Sequence, residues 1–156
     1  MVEDILDLVE EIKQAEIDGT NVNKVIILGN ISVETLEKIK CLSEMDLSDF
    51  VISIDSFSIR HILQGHGNKK RENNRGQEAV TVRDFEMISE IINNPDTILF
   101  DGLNKQRNHS FQFQSEINNK YFVFTEVRKG RKQLALKTMR INLTKKENQN
   151  INLDSL

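Results

Sequence analysis

Pro95 is the only proline in the chain, and the hydrophobic pattern changes its period there. Before it, Phe85, Ile88, Ile91 and Ile92 recur at helical spacing and form one stripe. After it, Phe111 and Phe113 alternate with Gln112 and Gln114, a two-residue period. A chain that builds amphipathic helices first and strands afterwards buries the helix stripes against a sheet. The expected class is therefore α+β, with N-terminal helices, two helices around a central motif, and then a roughly four-stranded antiparallel sheet. A length of 156 residues suits about one domain and is enough for a core.

Taken in order, Val2, Ile5, Leu6, Val9, Ile12 and Ile17 predict an amphipathic helix to about residue 17, stopped by Asp18-Gly19-Thr20-Asn21. Val25-Ile26-Ile27-Leu28 predicts a strand. Ser32 can cap a second helix carrying Val33, Leu36, Ile39 and Leu42. Val51-Ile52-Ser53-Ile54 predicts another short strand. Asp55 or Ser56 then opens a helix with Phe57, Ile59, Ile62 and Leu63 as its apolar side and Gly65 as its stop. Residues 67–79 are polar and basic and predict a loop. Thr81 caps the next helix, with Asp84 reaching back to it and Val80 stapled to Phe85, and Pro95 ends that helix.

Thr97-Ile98-Leu99-Phe100 predicts a strand and Asp101-Gly102 a turn. Asn118-Asn119 is a hairpin turn before the strongest strand, Tyr121-Phe122-Val123-Phe124-Thr125-Glu126-Val127. Arg128-Lys129-Gly130-Arg131-Lys132 turns into a last strand, Leu134 to Met139. The expected organisation is an acidic helical N-terminal extension over 1–50, packed on a core over 51–141, with a frayed polar tail over 142–156.

Composition narrows the class. No apolar run reaches the ~20 residues of a membrane helix, so no membrane contact is expected. Met-Val-Glu-Asp is acidic with no apolar stretch behind it, so no secretory leader is expected, and the single cysteine, Cys41, allows no internal disulfide. Both features suit the cytoplasm, with Cys41 read as a small core residue of a helix. The net charge of −3 is divided unevenly. Residues 1–50 carry 12 acidic and 4 basic side chains; residues 51–156 carry 12 acidic and 17 basic ones. A basic half is what a polyanion would bind, although surface drift gives the same statistic.

His61 and His66 lie five residues apart at the end of the central helix. That spacing turns them about 140° from each other, unlike the spacing of three or four that a helical metal pair needs. No cysteine partner and no HExxH pattern accompanies them, so no metal and no cofactor is expected. An acid–base role suits them better, because an imidazole with an unperturbed pKa of ~6.5 can accept or deliver a proton near neutrality. The plainer reading makes His61 a polar helix residue and His66 a C-terminal cap.

Gly76 in Arg75-Gly76-Gln77 permits positive φ or close approach of a ligand, and the Gln77 amide suits a phosphate or a base edge. Lys69, Lys70, Arg71 and Arg75 could neutralise phosphates, as could Arg128, Lys129, Arg131 and Lys132; either cluster could equally be a solvated loop. Thr138, near Lys137 and Arg140, offers a hydroxyl to a phosphate or serves simply as a β-branched strand former. The phenylalanines at 111, 113, 122 and 124 could stack bases, with core packing the stronger expectation. His109 is isolated and receives no role.

Several blocks together carry a resemblance. They are Arg60-His61-Ile62, then His66-Gly67, Arg75-Gly76-Gln77, Val80-Thr81 with Asp84-Phe85, and Ile91-Ile92-Asn93-Asn94-Pro95-Asp96. Residues 51–100 built this way resemble the phage-associated branch of the barnase–EndoU–colicin–RelE-like (BECR) nucleases, and the likeness extends more loosely to Lys137-Thr138. The resemblance implies two helices followed by a four-stranded antiparallel sheet, and metal-independent cleavage of RNA. It makes His61, His66, Gln77 and Thr138 the matching site positions, with Arg128 or Lys137 as the basic partner. It also implies a phage or toxin setting in which an antitoxin or immunity protein neutralises the enzyme.

The chemistry is coherent. RNA brings its own nucleophile, the 2′-hydroxyl, tethered beside the scissile phosphate. The protein must remove one proton, deliver another to the 5′-oxygen and stabilise charge on phosphorus. The expected products are a 2′,3′-cyclic phosphate and a 5′-hydroxyl. The rival reading is a catalytically inactive nucleic-acid-binding or virion-associated module on the same fold. A purely structural protein is a third.

Overall fold

A computed structural model describes residues 5–143. The expected tail therefore lies almost wholly outside the described residues. The elements are α1 (Ile5–Asp18), β1 (Val25–Asn30), α2 (Val33–Ser43), β2 (Val51–Asp55), α3 (Ser56–His66), α4 (Lys69–Asn74), β3 (Gln77–Glu78), α5 (Ile88–Asn93), β4 (Thr97–Leu103), β5 (His109–Ile117), β6 (Asn119–Arg128) and β7 (Gln133–Asn142). The architecture is α+β. Its seven strands form one mixed sheet in the order β1-β2-β7-β6-β5-β4, with β3 pairing on β7.

The last four strands form the expected antiparallel meander, each paired with its neighbour in sequence. Two features enlarge it. β2 runs parallel to β7 through Val51↔Gln133 to Ser53↔Ala135, and β1 pairs antiparallel with β2. The first fifty residues thus supply a sheet strand as well as helices. One cluster of buried side chains holds Leu8, Ile12 and Ile39 together with Ile59, Ile88, Phe111 and Val123.

The helix stripes are mostly where periodicity puts them, with corrections of phase. α1 buries Ile5, Leu8, Val9, Ile12 and Ala15, whereas Ile17 is 78% exposed. Five residues separate Ile17 from Ile12, about 140° around the helix, so it cannot share that face. Ser32 caps α2 by accepting from Thr35 N–H at 3.2 Å. The buried side is Thr35 and Ile39, while Val33 and Leu42 are exposed. Thr35 Oγ1 donates to the Ile92 carbonyl at 2.7 Å, which fixes that rotation. Cys41, expected in the core, is exposed.

Three local expectations change. Residues 69–74 are a short helix rather than loop; Asn68 Oδ1 accepts from Arg71 N–H at 2.9 Å and starts it. The helix expected from Thr81 begins as a 3-10 segment, Val82–Met87, and becomes α-helical only at Ile88. Asp84 does reach back to Thr81 N–H at 2.7 Å, and Phe85, Ile88, Ile91 and Ile92 are all buried. Asp101-Gly102 is not a turn. It is a bulge within β4, between Phe100 and Gly102, and Gly102 takes φ +77°. The chain reverses later, where Asn104 N–H donates to the Asn108 carbonyl at 2.9 Å.

Candidate active site

α3 follows β2 without a loop. Asp55 Oδ1 accepts from Ser58 N–H at 2.7 Å and caps it, and Ser58 Oγ donates to the Leu136 carbonyl at 2.8 Å, tying the helix to β7. Ile59 and Ile62 point into the core. Phe57, expected on that apolar side, is 66% exposed. It stacks on His61, one turn further on, with ring centroids 6.5 Å apart and planes within 7°. Core packing of the two isoleucines thus turns a phenyl–imidazole pair outward.

β7 supplies the facing groups through an irregularity. Phe124 pairs with Thr138, yet the next residue, Thr125, pairs with Leu136, so Lys137 is extra on β7. A bulge of this kind bends the strand and re-aims its side chains. Lys137 and Thr138 line a cleft of about 510 Å³ together with Phe57, His61 and Phe124. Leu103, the last residue of β4, and residues 104–106 after it line the same cleft. The Thr138 hydroxyl is enclosed and has no hydrogen-bond partner among the described residues.

Glu126, on β6 and almost fully buried, holds this wall in place. Its Oε1 accepts from Asn104 Nδ2 at 2.7 Å and Asn108 Nδ2 at 3.4 Å, and lies 3.9 Å from Lys137 Nζ. Its Oε2 accepts from Arg128 Nε at 2.8 Å. Burial raises its pKa, but hydrogen bonds from Arg128 and Asn104 and the charge of Lys137 outweigh that and hold the carboxyl below its ordinary range. Sequence reading missed Glu126, Phe57 and Asn104. Nothing in the sequence marks Glu126 among the 12 acidic side chains of residues 51–156.

The structure brings together only part of the expected set. His61, Lys137 and Thr138 share the cleft; His66 does not line it. His66 Nδ1 is 3.1 Å from Oε2 of Glu72, which is fully buried in α4. Arg128 is clamped between Glu126 and Asp55, with its Nη1 3.1 Å from Asp55 Oδ2. Arg71 and Arg75 donate to the carbonyls of Gln64 and Gly65 at the end of α3. Lys69 and Lys70 are exposed on α4. Gly76 adopts φ +71° as expected, and Gln77 of β3 pairs with Asn142 of β7, its amide oxygen without a partner among the described residues. None of these six residues, 69–71 and 75–77, lines the His61 cleft. His109 stacks on Phe100, 5.8 Å between centroids.

The family model described as phage-Barnase-EndoU-ColicinE5/D-RelE like nuclease3 matches residues 29–149. The chain belongs to this family. It is a nuclease of the BECR type, and the matched span contains every element lining the cleft. No curated protein and no solved structure matches the chain. α1 and most of β1 of this BECR nuclease precede the matched span.

Among the described residues no group of three or more His, Cys, Asp or Glu is placed to hold a metal ion, and no helix is long and apolar enough to cross a membrane. The nuclease's cleft is lined by the His61 imidazole, the ammonium groups of Lys105 and Lys137, the Asp101 carboxylate, the hydroxyls of Ser110, Thr125 and Thr138, and the rings of Phe57, Phe111 and Phe124. That set can move a proton and stabilise an anionic phosphorus centre.

Proposed function

We propose that this BECR nuclease is a metal-independent endoribonuclease of phage or toxin type, leaving a 2′,3′-cyclic phosphate and a 5′-hydroxyl. The observation that carries this reading is the convergence of His61, Lys137 and Thr138 on one cleft from two separate elements. In this mechanism the His61 imidazole takes the proton of the 2′-hydroxyl as its oxygen attacks phosphorus. Lys137 and the Thr138 hydroxyl stabilise the added negative charge on the phosphate oxygens. The P–O5′ bond breaks, and the departing oxygen takes a proton from the Lys137 ammonium; His61 then gives its acquired proton to water and Lys137 regains one from water, which returns both groups to their starting states. Glu126 acts as a positioning residue, holding Lys137 and the 103–106 wall.

The test uses two oligonucleotides that differ by one 2′-hydroxyl at a mapped cleavage site, in excess chelator. The reading expects the ribose substrate to be cut with a cyclic-phosphate end and the deoxyribose one to survive. Equal cutting of both, or cutting only with added metal, rejects it. Expression without a neutralising antitoxin or immunity protein should slow growth of a cytoplasmic host, and His61→Ala should relieve that.

One observation favours the rival. With His66 bound to Glu72, the cleft has a single imidazole where two were expected. A catalytically silent RNA-binding or virion-associated module would bind the ribose substrate with salt-dependent affinity and release no cyclic phosphate.

A further inference from the structure

Phenylalanines of two neighbouring strands part company in this fold. Phe111 and Phe113 of β5 lie in the helix-covered core with no exposure. Phe122, 9% exposed, and half-buried Phe124 flank Val123 on β6 and belong to the other face. Arg140 of β7 pairs directly with Phe122, and its guanidinium carbon lies 4.5 Å from the Phe122 centroid and 5.2 Å from that of Phe124. Lys120 Nζ lies 5.3 Å from the same Phe122 ring. Across the β5–β6 pair, Gln112 faces Phe124 and Gln114 faces Phe122.

We propose that Arg140, Phe122 and Phe124 form a stacking subsite for one nucleobase of single-stranded RNA beside the cleft, its edge read by the Gln112 and Gln114 amides. The inference rests on the reading of the cleft as an RNA site, because Phe124 belongs to both: it lines the cleft and pairs with Thr138. Two residues of β7, a rise of about 7 Å, separate Thr138 from Arg140, so a phosphate at one and its neighbouring base at the other are within reach. Arg128 has two carboxylate partners, whereas among the described residues none pairs with Arg140. Neither glutamine amide makes a side-chain hydrogen bond among the described residues. An aromatic floor, an uncompensated planar cation and two free amides supply the stacking, charge and hydrogen bonding that a nucleotide demands together.

The test is equilibrium binding of 2′-O-methyl oligoribonucleotides, which cannot be cleaved, with 2-aminopurine walked through the sequence. Stacking quenches its fluorescence. The wild-type protein should quench the probe at one register. Arg140→Lys keeps the charge but loses the planar face, and should weaken binding about tenfold and abolish the quench at unchanged salt dependence. Arg140→Gln should also lower the salt slope by about one. Wild-type binding without quenching at any register, no binding, or an Arg140→Lys protein equal to wild type overturns the subsite. Quenching by a wild-type protein that leaves unmodified RNA intact supports the subsite and sinks the cleavage reading. Cleavage without quenching does the reverse.

Discussion

Nδ1 of His66 and Oε2 of Glu72 lie 3.1 Å apart, and the other oxygen of this fully buried carboxylate accepts Nη1 of Arg75, also at 3.1 Å. That carboxylate ties the end of α3 to α4, beside the hydrogen bonds from Arg71 and Arg75 to the Gln64 and Gly65 carbonyls. Removing the imidazole leaves a buried charge short of a partner. His66→Ala should therefore lower unfolding stability by about 1–3 kcal/mol in urea titration. Cleavage per folded molecule of His66→Ala should stay within about threefold of wild type, since the group lies outside the cleft. A loss as large as that of His61→Ala would restore His66 to the chemistry.

Tyr121 Oη donates to Asp84 Oδ1 at 2.9 Å, and the other oxygen of Asp84 serves the Thr81 cap. Burial, then the hydrogen bond and charge of Asp84, push the phenol far above its usual range. Tyr121→Phe should cost about 1–2 kcal/mol of stability with little change in nuclease activity, measured by thermal melting and RNA cleavage on one sample.

Glu126 sets an acid limit. Its folded-state pKa lies below the unfolded value, so its contribution is present above the ordinary carboxylate range and disappears as pH falls through the depressed value. Urea midpoints between about pH 3 and 6 should fall on acidification in the wild type and fall less in Glu126→Gln. An identical acid slope in both proteins contradicts this assignment.

Gly67 ends α3, and a Cβ there would collide with the Leu63 carbonyl. Gly67→Ala should lower stability by about 1–3 kcal/mol through a shifted helix end. Gly76→Ala meets no atom but must hold φ +71°, and should cost about 1 kcal/mol.

The meander of β4–β7 and the α5 stripe were legible because each rests on local periodicity. The mixed character of the sheet was not, since the parallel pairing of β2 with β7 joins residues about eighty apart with no local mark. Phe57 could be placed from its own helix alone. Two residues from Ile59 and five from Ile62, it lies about 160° and 140° from them around the helix, so its spacing already turned it away from their face and toward His61. The bulge that frees Lys137 is invisible in an alternating strand. Glu72 misled the reading of 67–79 because a buried acid inside a polar run looks like any other charge.

The central claim is that the cleft holding His61 performs the cleavage. The most direct measurement is single-turnover cutting of one end-labelled RNA in excess chelator by wild type and His61→Ala, with the 3′ ends analysed by mass. The account predicts cyclic phosphate from the wild type and a rate lower by about 100-fold or more in the variant, both proteins melting alike. A His61→Ala protein that cuts as fast as wild type, or a wild type inactive until a divalent metal is added, would contradict it.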